Sequence, residues 1–312
     1  MTSQSELLAD PANFVEIARC SLCGSEGRDD VFREEPFHVV RCQDCGLVYV
    51  TPRLKPEVLP QVYDEGYWTS EGPKNRGYAD YRSQEQLYLK TFRKRFDIID
   101  RYMPEPGRLL DIGCAAGFFL EVARERGWEL EGVELSAEIA THAIEHYGFD
   151  QIHVGTLETA PYERGSFDLV TMWDVVEHVP DPRTFFEAAR AYLRPDGLLI
   201  LETQNVGSAF AKRMGPKWQH YKHLEHLYHF DSETIERLLD ETGFEILENT
   251  PDLGGKHVSV AFVRERAERV SNAFRYLLRP LALFDRVNFY VNLNDEMVIA
   301  ARPKKTAGNG SS

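Results

Sequence analysis

The chain has 312 residues, enough for one large and one small folding unit, and 43% of them are hydrophobic, a globular composition. A formal net charge of −14 argues against affinity built on neutralising phosphates, so nucleic acid is not expected as a partner. No apolar run approaches membrane-span length, and residues 1–11 show no basic stretch followed by an apolar one; a cytoplasmic, reducing setting is expected, where five cysteines serve metal or chemistry rather than disulfides.

Four of those cysteines fall as Cys20-x-x-Cys23 and Cys42-x-x-Cys45, the spacing of two knuckles closing on one tetrahedral zinc ion. Each pair is followed by a glycine, Gly24 or Gly46, which supplies the positive φ a knuckle turn needs. Phe32, Phe37, Val39 and Val40 lie between them in short strand-like runs, so residues 14–52 are expected to form a zinc ribbon. Four sulfur ligands leave no open coordination position, which makes the metal structural. The alternatives are four reduced, unliganded thiols or a redox dithiol, and the latter has no use for two matched pairs.

Residues 53–104 form an aromatic linker and a capping helix. Tyr63, Tyr67, Trp68, Tyr78 and Tyr81 are expected to pack in the core or a lid, with one or two tyrosines reaching over a ligand. Leu87, Phe92, Phe96, Ile99 and Met103 then recur at helical spacing, and Pro104-Glu-Pro-Gly107 ends the helix.

Strand and helix signals alternate from Arg108 onward, as a parallel sheet covered on both faces requires. Strands are expected near 108–112, 129–134, 151–154, 168–173 and 197–203, with helices near 118–126, 137–147 and 182–193. Ligands of such α/β sheets bind beyond the carboxyl ends of the strands. The run Leu109-Leu-Asp-Ile-Gly-Cys-Ala-Ala-Gly-Phe-Phe-Leu120 is a buried strand entering a glycine turn and a helix, and Leu130-Glu-Gly-Val-Glu-Leu-Ser136 is a second strand ending on a carboxylate. Gly113 and Gly117 let the backbone approach a ligand closely. No third glycine follows at the spacing of a pyrophosphate loop, which weakens an NAD-dependent dehydrogenase.

The pattern Asp111-x-Gly113-x-x-x-Gly117 with a downstream acid resembles the class I S-adenosylmethionine-dependent methyltransferases. The resemblance implies a Rossmann-like, seven-stranded α/β domain over residues 105–303, preceded by the ribbon, with S-adenosylmethionine as cofactor beside a structural zinc. It places the cofactor over Gly113, Cys114, Ala115 and Gly117, with Cys114 a small packed residue rather than a nucleophile. Asp111 would give a negative field to the sulfonium and ammonium, and Glu134 would accept from both ribose hydroxyls. Leu135, Thr156 and Leu157 would lie by the adenine, and Trp173 and Asp174 by the methionine end. Glu177-His178 would point toward the acceptor, the plainer reading of His178 being a helix-start residue satisfied by backbone. The Asn/Asp-Pro-Pro-Tyr run of amino-methylating enzymes is missing after the fourth strand, where Trp173-Asp-Val-Val stands, and no cysteine is placed to attack a pyrimidine.

Farther on, His220, His223, His226 and His229 recur every third residue, and Asp231-Ser232 then caps a helix running to Thr242. Three readings stand open. Rings at this spacing on a helix step by about 60°, poor for four metal ligands and workable for two. A surface loop with incidental histidines is the second. The third is an acceptor site with a general base. The cysteine-rich module joined to Glu225-His226 is similar to bacterial methyltransferases of sugars and secondary metabolites, including sugar C-methyltransferases that use a Glu-His pair on a nucleotide-linked keto sugar. Two departures are His223, where those enzymes carry tyrosine, and the absence from this sequence of their additional C-terminal domain.

The chain closes with a helical insert near 264–286, holding Arg275, Arg279, Arg286 and the apolar run 277–284, then a strand near 294–302 and a small polar tail at 304–312, expected to be disordered. The insert is read as helix packing or a lid, with contact to a membrane surface or a lipid-linked substrate as the alternative. The expected function is methyl transfer to a small-molecule or saccharide acceptor, at a hydroxyl oxygen. His226 would act as base, oriented by Glu225, with His178 and Tyr221 holding the substrate. The alternatives are C-methylation of a keto sugar and a non-catalytic module that merely holds the cofactor.

Overall fold

A computed structural model of the chain describes residues 4–58, 84–270 and 276–305. The linker aromatics Tyr63, Tyr67, Trp68, Tyr78 and Tyr81, together with Arg275 and the tail from 306, lie outside the described residues. A short helix, Gln4–Ala9, precedes β1 (Phe14–Val15), then β2 (Arg28–Glu34), β3 (Phe37–Cys42), β4 (Val48–Thr51) and β5 (Arg53–Leu54). An 18-residue helix, Glu85–Tyr102, leads into the large sheet: β6 (Arg108–Ile112), β7 (Glu129–Glu134), β8 (Ile152–Val154), β9 (Phe167–Trp173) and β10 (Leu193–Gln204). After β11 (Tyr228–His229) come β12 (Phe244–Thr250), the hairpin partners β13 (Lys256–Ser259) and β14 (Asn288–Val291), and β15 (Glu296–Pro303).

Seven strands form one sheet in the order β12-β15-β10-β9-β6-β7-β8, the Rossmann-like architecture expected from the sequence. Strands β10, β9, β6, β7 and β8 run parallel, and β15 lies antiparallel between β10 and β12. The central strands are buried nearly end to end, as apolar runs with helices on both faces must be. Order reverses at β6, which β7 flanks on one side and β9 on the other, and that switch point opens a crevice at the strand ends.

Helix boundaries follow local chemistry. Gly117, with φ +81°, starts Phe118–Glu125, and Ser136 caps Ala137–Tyr147, which ends on left-handed Gly148. Asp181 accepts from the Arg183 and Thr184 amides at the head of Pro182–Tyr192, and Asp231 forms a capping box with Thr234 before Ser232–Glu241. Helix Glu85–Tyr102 buries Phe92 and Phe96 against Phe119. No helix among the described residues is long and apolar enough to cross a membrane.

The N-terminal sheet has the order β11-β4-β3-β2, so its edge strand comes from residue 228, far along the chain. The expected break near residue 52 is therefore crossed by backbone pairing. Side chains reinforce it: Arg53 Nη2 and the Tyr228 hydroxyl both donate to the Pro180 carbonyl at 2.9 Å, and Arg183 Nη2 donates to the Leu22 carbonyl at 3.1 Å. The described part of the expected insert, 264–270 and 276–286, is helical, and a hairpin outside those bounds closes it. That hairpin is β13–β14, set around helix Val260–Val270 and a 3-10 turn at Arg279–Phe284 and tied to the capping helix where the His257 amide donates to Thr91 Oγ1 at 2.8 Å.

Arg95 of the capping helix is buried against Glu202 of β10, with its guanidinium also over the Trp173 ring. Removing one partner strands the other charge in the interior, at a cost of about 3–5 kcal/mol. Arg95→Met should lower unfolding free energy by that order in denaturant titration, and Arg95→Met with Glu202→Leu should recover most of the loss.

Candidate functional site

The loop after β6 turns through three left-handed residues, Gly113 (φ +74°), Ala115 (φ +46°) and Gly117 (φ +81°). A Cβ on Gly113 would stand 2.7 Å from Val175 Cγ2, and one on Gly117 2.9 Å from Ala143 Cβ, so glycine serves both backbone conformation and close packing. This turn brings the Ala115 amide to Glu134 Oε2 at 2.9 Å, while the Ser136 amide donates to Oε1 at 2.8 Å. Glu134, only 7% exposed, is thus clamped by two backbone amides, and each oxygen keeps a lone pair for a further donor. Burial pushes its pKa up, and the amide hydrogen bonds oppose that shift.

Asp111 lies beneath this loop at 1% exposure, its Oδ1 accepting from Thr171 Oγ1 at 2.7 Å. Burial pushes its carboxyl up to about 8, the Thr171 hydroxyl opposing and the Glu134 charge adding. A buried acid of this kind and a clamped glutamate fit a ligand bearing a cationic head and a vicinal diol, as S-adenosylmethionine does. Cys114 turns inward: its Sγ would lie 2.8 Å from a Cβ on Gly132, and burial keeps it a thiol. Leu135 and Thr156 are exposed at the neighbouring strand ends. Leu157 and Trp173 instead pack into the core, Trp173 on Phe92 and Phe119.

Beyond β9 the chain turns through Asp174 (φ +54°) into a 3-10 turn, Val176–His178. Glu177 is fully buried and accepts from Thr203 Oγ1 at 2.9 Å through Oε2. The Leu227 amide donates to the Glu177 carbonyl at 2.8 Å, which brings the histidine segment alongside. The His178 and His226 rings meet edge to face with centroids 4.7 Å apart, and His178 Nε2 lies 3.9 Å from Glu177 Oε1. Burial drives the His178 pKa down to about 3 and His226 well below the ordinary imidazole value, so both rings are neutral at physiological pH.

The four histidines sit on a loop and the short strand β11, not on a helix, and they part company. His220 Nε2 lies 3.3 Å from Glu296 and 3.6 Å from Asp295, which also accepts from Trp218 Nε1 at 2.8 Å. His223 Nε2 faces Glu34 of β2 at 3.2 Å. His229 is buried against Tyr221, whose ring also stands edge-on to Phe32 of β2. Only His226 joins His178. Glu225 Oε2 lies 3.9 Å from Lys222 Nζ, and the carboxylate grouped with His226 is Glu177. The adjacency of Glu177 and His178 was visible in the sequence; their meeting with His226 depends on the Leu227–Glu177 hydrogen bond and had no sequence signal.

The sulfurs of Cys20, Cys23, Cys42 and Cys45 all lie within 4.8 Å of one another, with Cys20–Cys45 and Cys23–Cys42 at 3.5 Å. In each knuckle the glycine amide returns to the first cysteine, Gly24 to Cys20 at 2.8 Å and Gly46 to Cys42 at 3.0 Å. Four thiolates so gathered fit a tetrahedral zinc ion.

The methyltransferase-domain family matches residues 81–249, more than half of the chain. The ubiquinone biosynthesis O-methyltransferase of Xanthomonas campestris pv. campestris strain B100 is 32% identical over 171 residues, 50% of this chain and 67% of that protein. The enzyme of the same name from Xanthomonas axonopodis pv. citri strain 306 is 29% identical over 170 residues, with the same coverage. In fold alone, the chain resembles a chain of the complex between the Haloferax volcanii Trm112 methyltransferase activator and a methyltransferase, at 14% identity and a TM-score of 0.50, covering 72% of this chain and 95% of that one.

Two outcomes test the site. Cys20→Ser should lower the zinc content of reduced protein by about one ion per chain and lower its melting temperature, because metal binding and folding are linked. Asp111 has a folded pKa above its ordinary value of 3.8, so its contribution to stability is complete below about pH 4 and is lost as pH rises toward 8. Asp111→Asn should therefore melt roughly 5 °C above the wild type at pH 8 without ligand, the gap closing toward pH 4 in calorimetric scans.

Proposed function

We propose that this chain, which belongs to the methyltransferase-domain family, transfers the methyl group of S-adenosylmethionine to a hydroxyl oxygen of a small-molecule acceptor. That it is an S-adenosylmethionine-dependent methyltransferase follows from the family match and its named relatives. The observation that carries the finer reading is the pairing of two sites after β7 and β9, the strands that flank β6: the amide-clamped Glu134 and the buried Glu177–His178–His226 group.

The cofactor, when bound, supplies a methyl carbon already made electrophilic by its sulfonium. What the chain adds is position and charge. Glu134 accepts hydrogen bonds from the ribose hydroxyls, held rigid by the Ala115 and Ser136 amides. Asp111 offers a carboxylate to the cationic end, where a positive charge draws its pKa back down. Activation of the acceptor hydroxyl falls to Glu177, His178 and His226.

Oxygen is favoured as the methylated atom by relatives named as O-methyltransferases. C-methylation of a keto sugar would draw on Glu225 and His226 as a pair, whereas the histidine is grouped with Glu177 and Glu225 lies toward Lys222. The net charge of −14 accords with a small acceptor rather than a nucleic acid.

His226→Ala should cut turnover by about two orders of magnitude or more with little change in cofactor affinity, read as release of S-adenosylhomocysteine beside calorimetric binding. Glu134→Gln should do the reverse, weakening cofactor binding by about tenfold. An unchanged rate in the first variant would remove His226 from the reaction.

A further inference from the structure

The oxygen of Glu177 and one nitrogen from each of His178 and His226 lie within 4.8 Å of one another. Glu177 Oε1 has no hydrogen-bond partner among the described residues, although Oε2 is held by Thr203. His226 Nδ1 is likewise without one, on a ring only 4% exposed. A buried carboxylate oxygen facing two imidazoles is costly unless something positive satisfies it. Two imidazole nitrogens and a carboxylate oxygen gathered in this way form a donor set suited to a metal ion.

We propose that Glu177, His178 and His226 bind one divalent transition-series cation whose open coordination positions take the acceptor oxygen. Two imidazole nitrogens and one carboxylate oxygen suit Zn²⁺, Mn²⁺, Fe²⁺ or Co²⁺ better than Ca²⁺ or Mg²⁺, which prefer oxygen ligands throughout. The outer partners that orient metal ligands are already present: Thr203 on the carboxylate, the Glu225 backbone on the His178 ring, and the Leu227 amide bracing the Glu177 carbonyl. Side-chain rotation brings such a group to bond lengths of about 2.1 Å. His178 is the most exposed of the three, so the open positions lie on its side. Asp174, whose charge acts on Glu177, deepens the negative field, while Lys222, the cation acting on both rings, lies against Glu225.

The site stands on geometry, and its role rests on the methyl-transfer reading. An acceptor hydroxyl bound to the cation gives up its proton to water, and its oxygen lone pair then forms the bond to the methyl carbon. The carbon–sulfur bond breaks with its electron pair returning to sulfur, leaving a neutral thioether.

Co²⁺ alone is the probe, titrated into full-length protein whose cysteine cluster is already loaded with Zn²⁺. The expected result is saturable uptake of about one ion per chain, with d–d bands and no sulfur-to-metal charge-transfer absorption. Glu177→Gln and His178→Gln should each weaken uptake by about tenfold or more while zinc content stays constant; His178, the more exposed ligand, keeps the test valid should Glu177→Gln not fold. Uptake in the wild type no greater than in the variants would overturn the site. Cofactor binding and turnover in the same samples separate the two ideas: full activity in protein that takes up no cation overturns the cation alone. A bound cation with no methylated product from any hydroxylated acceptor leaves the site standing and overturns the methyl-transfer role.

Discussion

Glu134 holds the loop after β6 in register with the end of β7. Its carboxylate accepts from Ala115 in the loop after β6 and from Ser136 at the head of the next helix, so one buried side chain ties two strand ends together. The hydrogen bond from Ala115 depends on the left-handed residues of the loop, which aim its amide at the carboxylate, whereas the one from Ser136 is local to the end of β7. Two backbone donors also make a buried carboxylate tolerable and leave it ready for a diol. The candidate site is arranged around that fixed point, with Asp111 beneath the loop after β6 and Val175 of the β9 turn against Gly113.

A second constraint joins the cysteine module to the catalytic sheet. Pairing of β11 with β4 makes residues 228 and 229 part of the N-terminal sheet, and the loop leading to them carries the histidines. The N-terminal sheet therefore holds the histidine loop as well as its own first strands. His223 facing Glu34 and Tyr221 against Phe32 are direct consequences, since both partners lie on β2.

Burial sets the electrostatics throughout. Arg95 and Glu202 form an ion pair in the interior, Lys256 donates to Glu296 at 3.2 Å, and Asp111, Asp174 and Glu177 have their pKa values raised by desolvation. The capping helix and the β13–β14 hairpin supply the cations of these pairs, so elements outside the parallel sheet neutralise carboxylates at its strand ends. An acidic, enclosed end of the sheet suits a cationic cofactor and a bound metal ion, and it suits an anionic polymer poorly.

The amino-acid order by itself determined the elements and the first half of the site. Apolar runs bounded by glycine and proline marked β6, β7 and β9, the cap at Asp231 marked a helix start, and Gly113, Gly117 and Glu134 stood out because local backbone chemistry admits few substitutes there. The four cysteines were legible for the same reason, their spacing being set within each knuckle. Other relations are between residues distant in the chain, and only the tertiary structure decided them. Leu157 and Trp173 belong to the core because strands pack there, the histidine run is a loop because β11 is claimed by another sheet, and Glu177 and His178 meet His226 because a backbone hydrogen bond from Leu227 sets the two segments side by side. Local propensity reads along a chain; partners across a sheet edge are chosen by burial and by the geometry of closure.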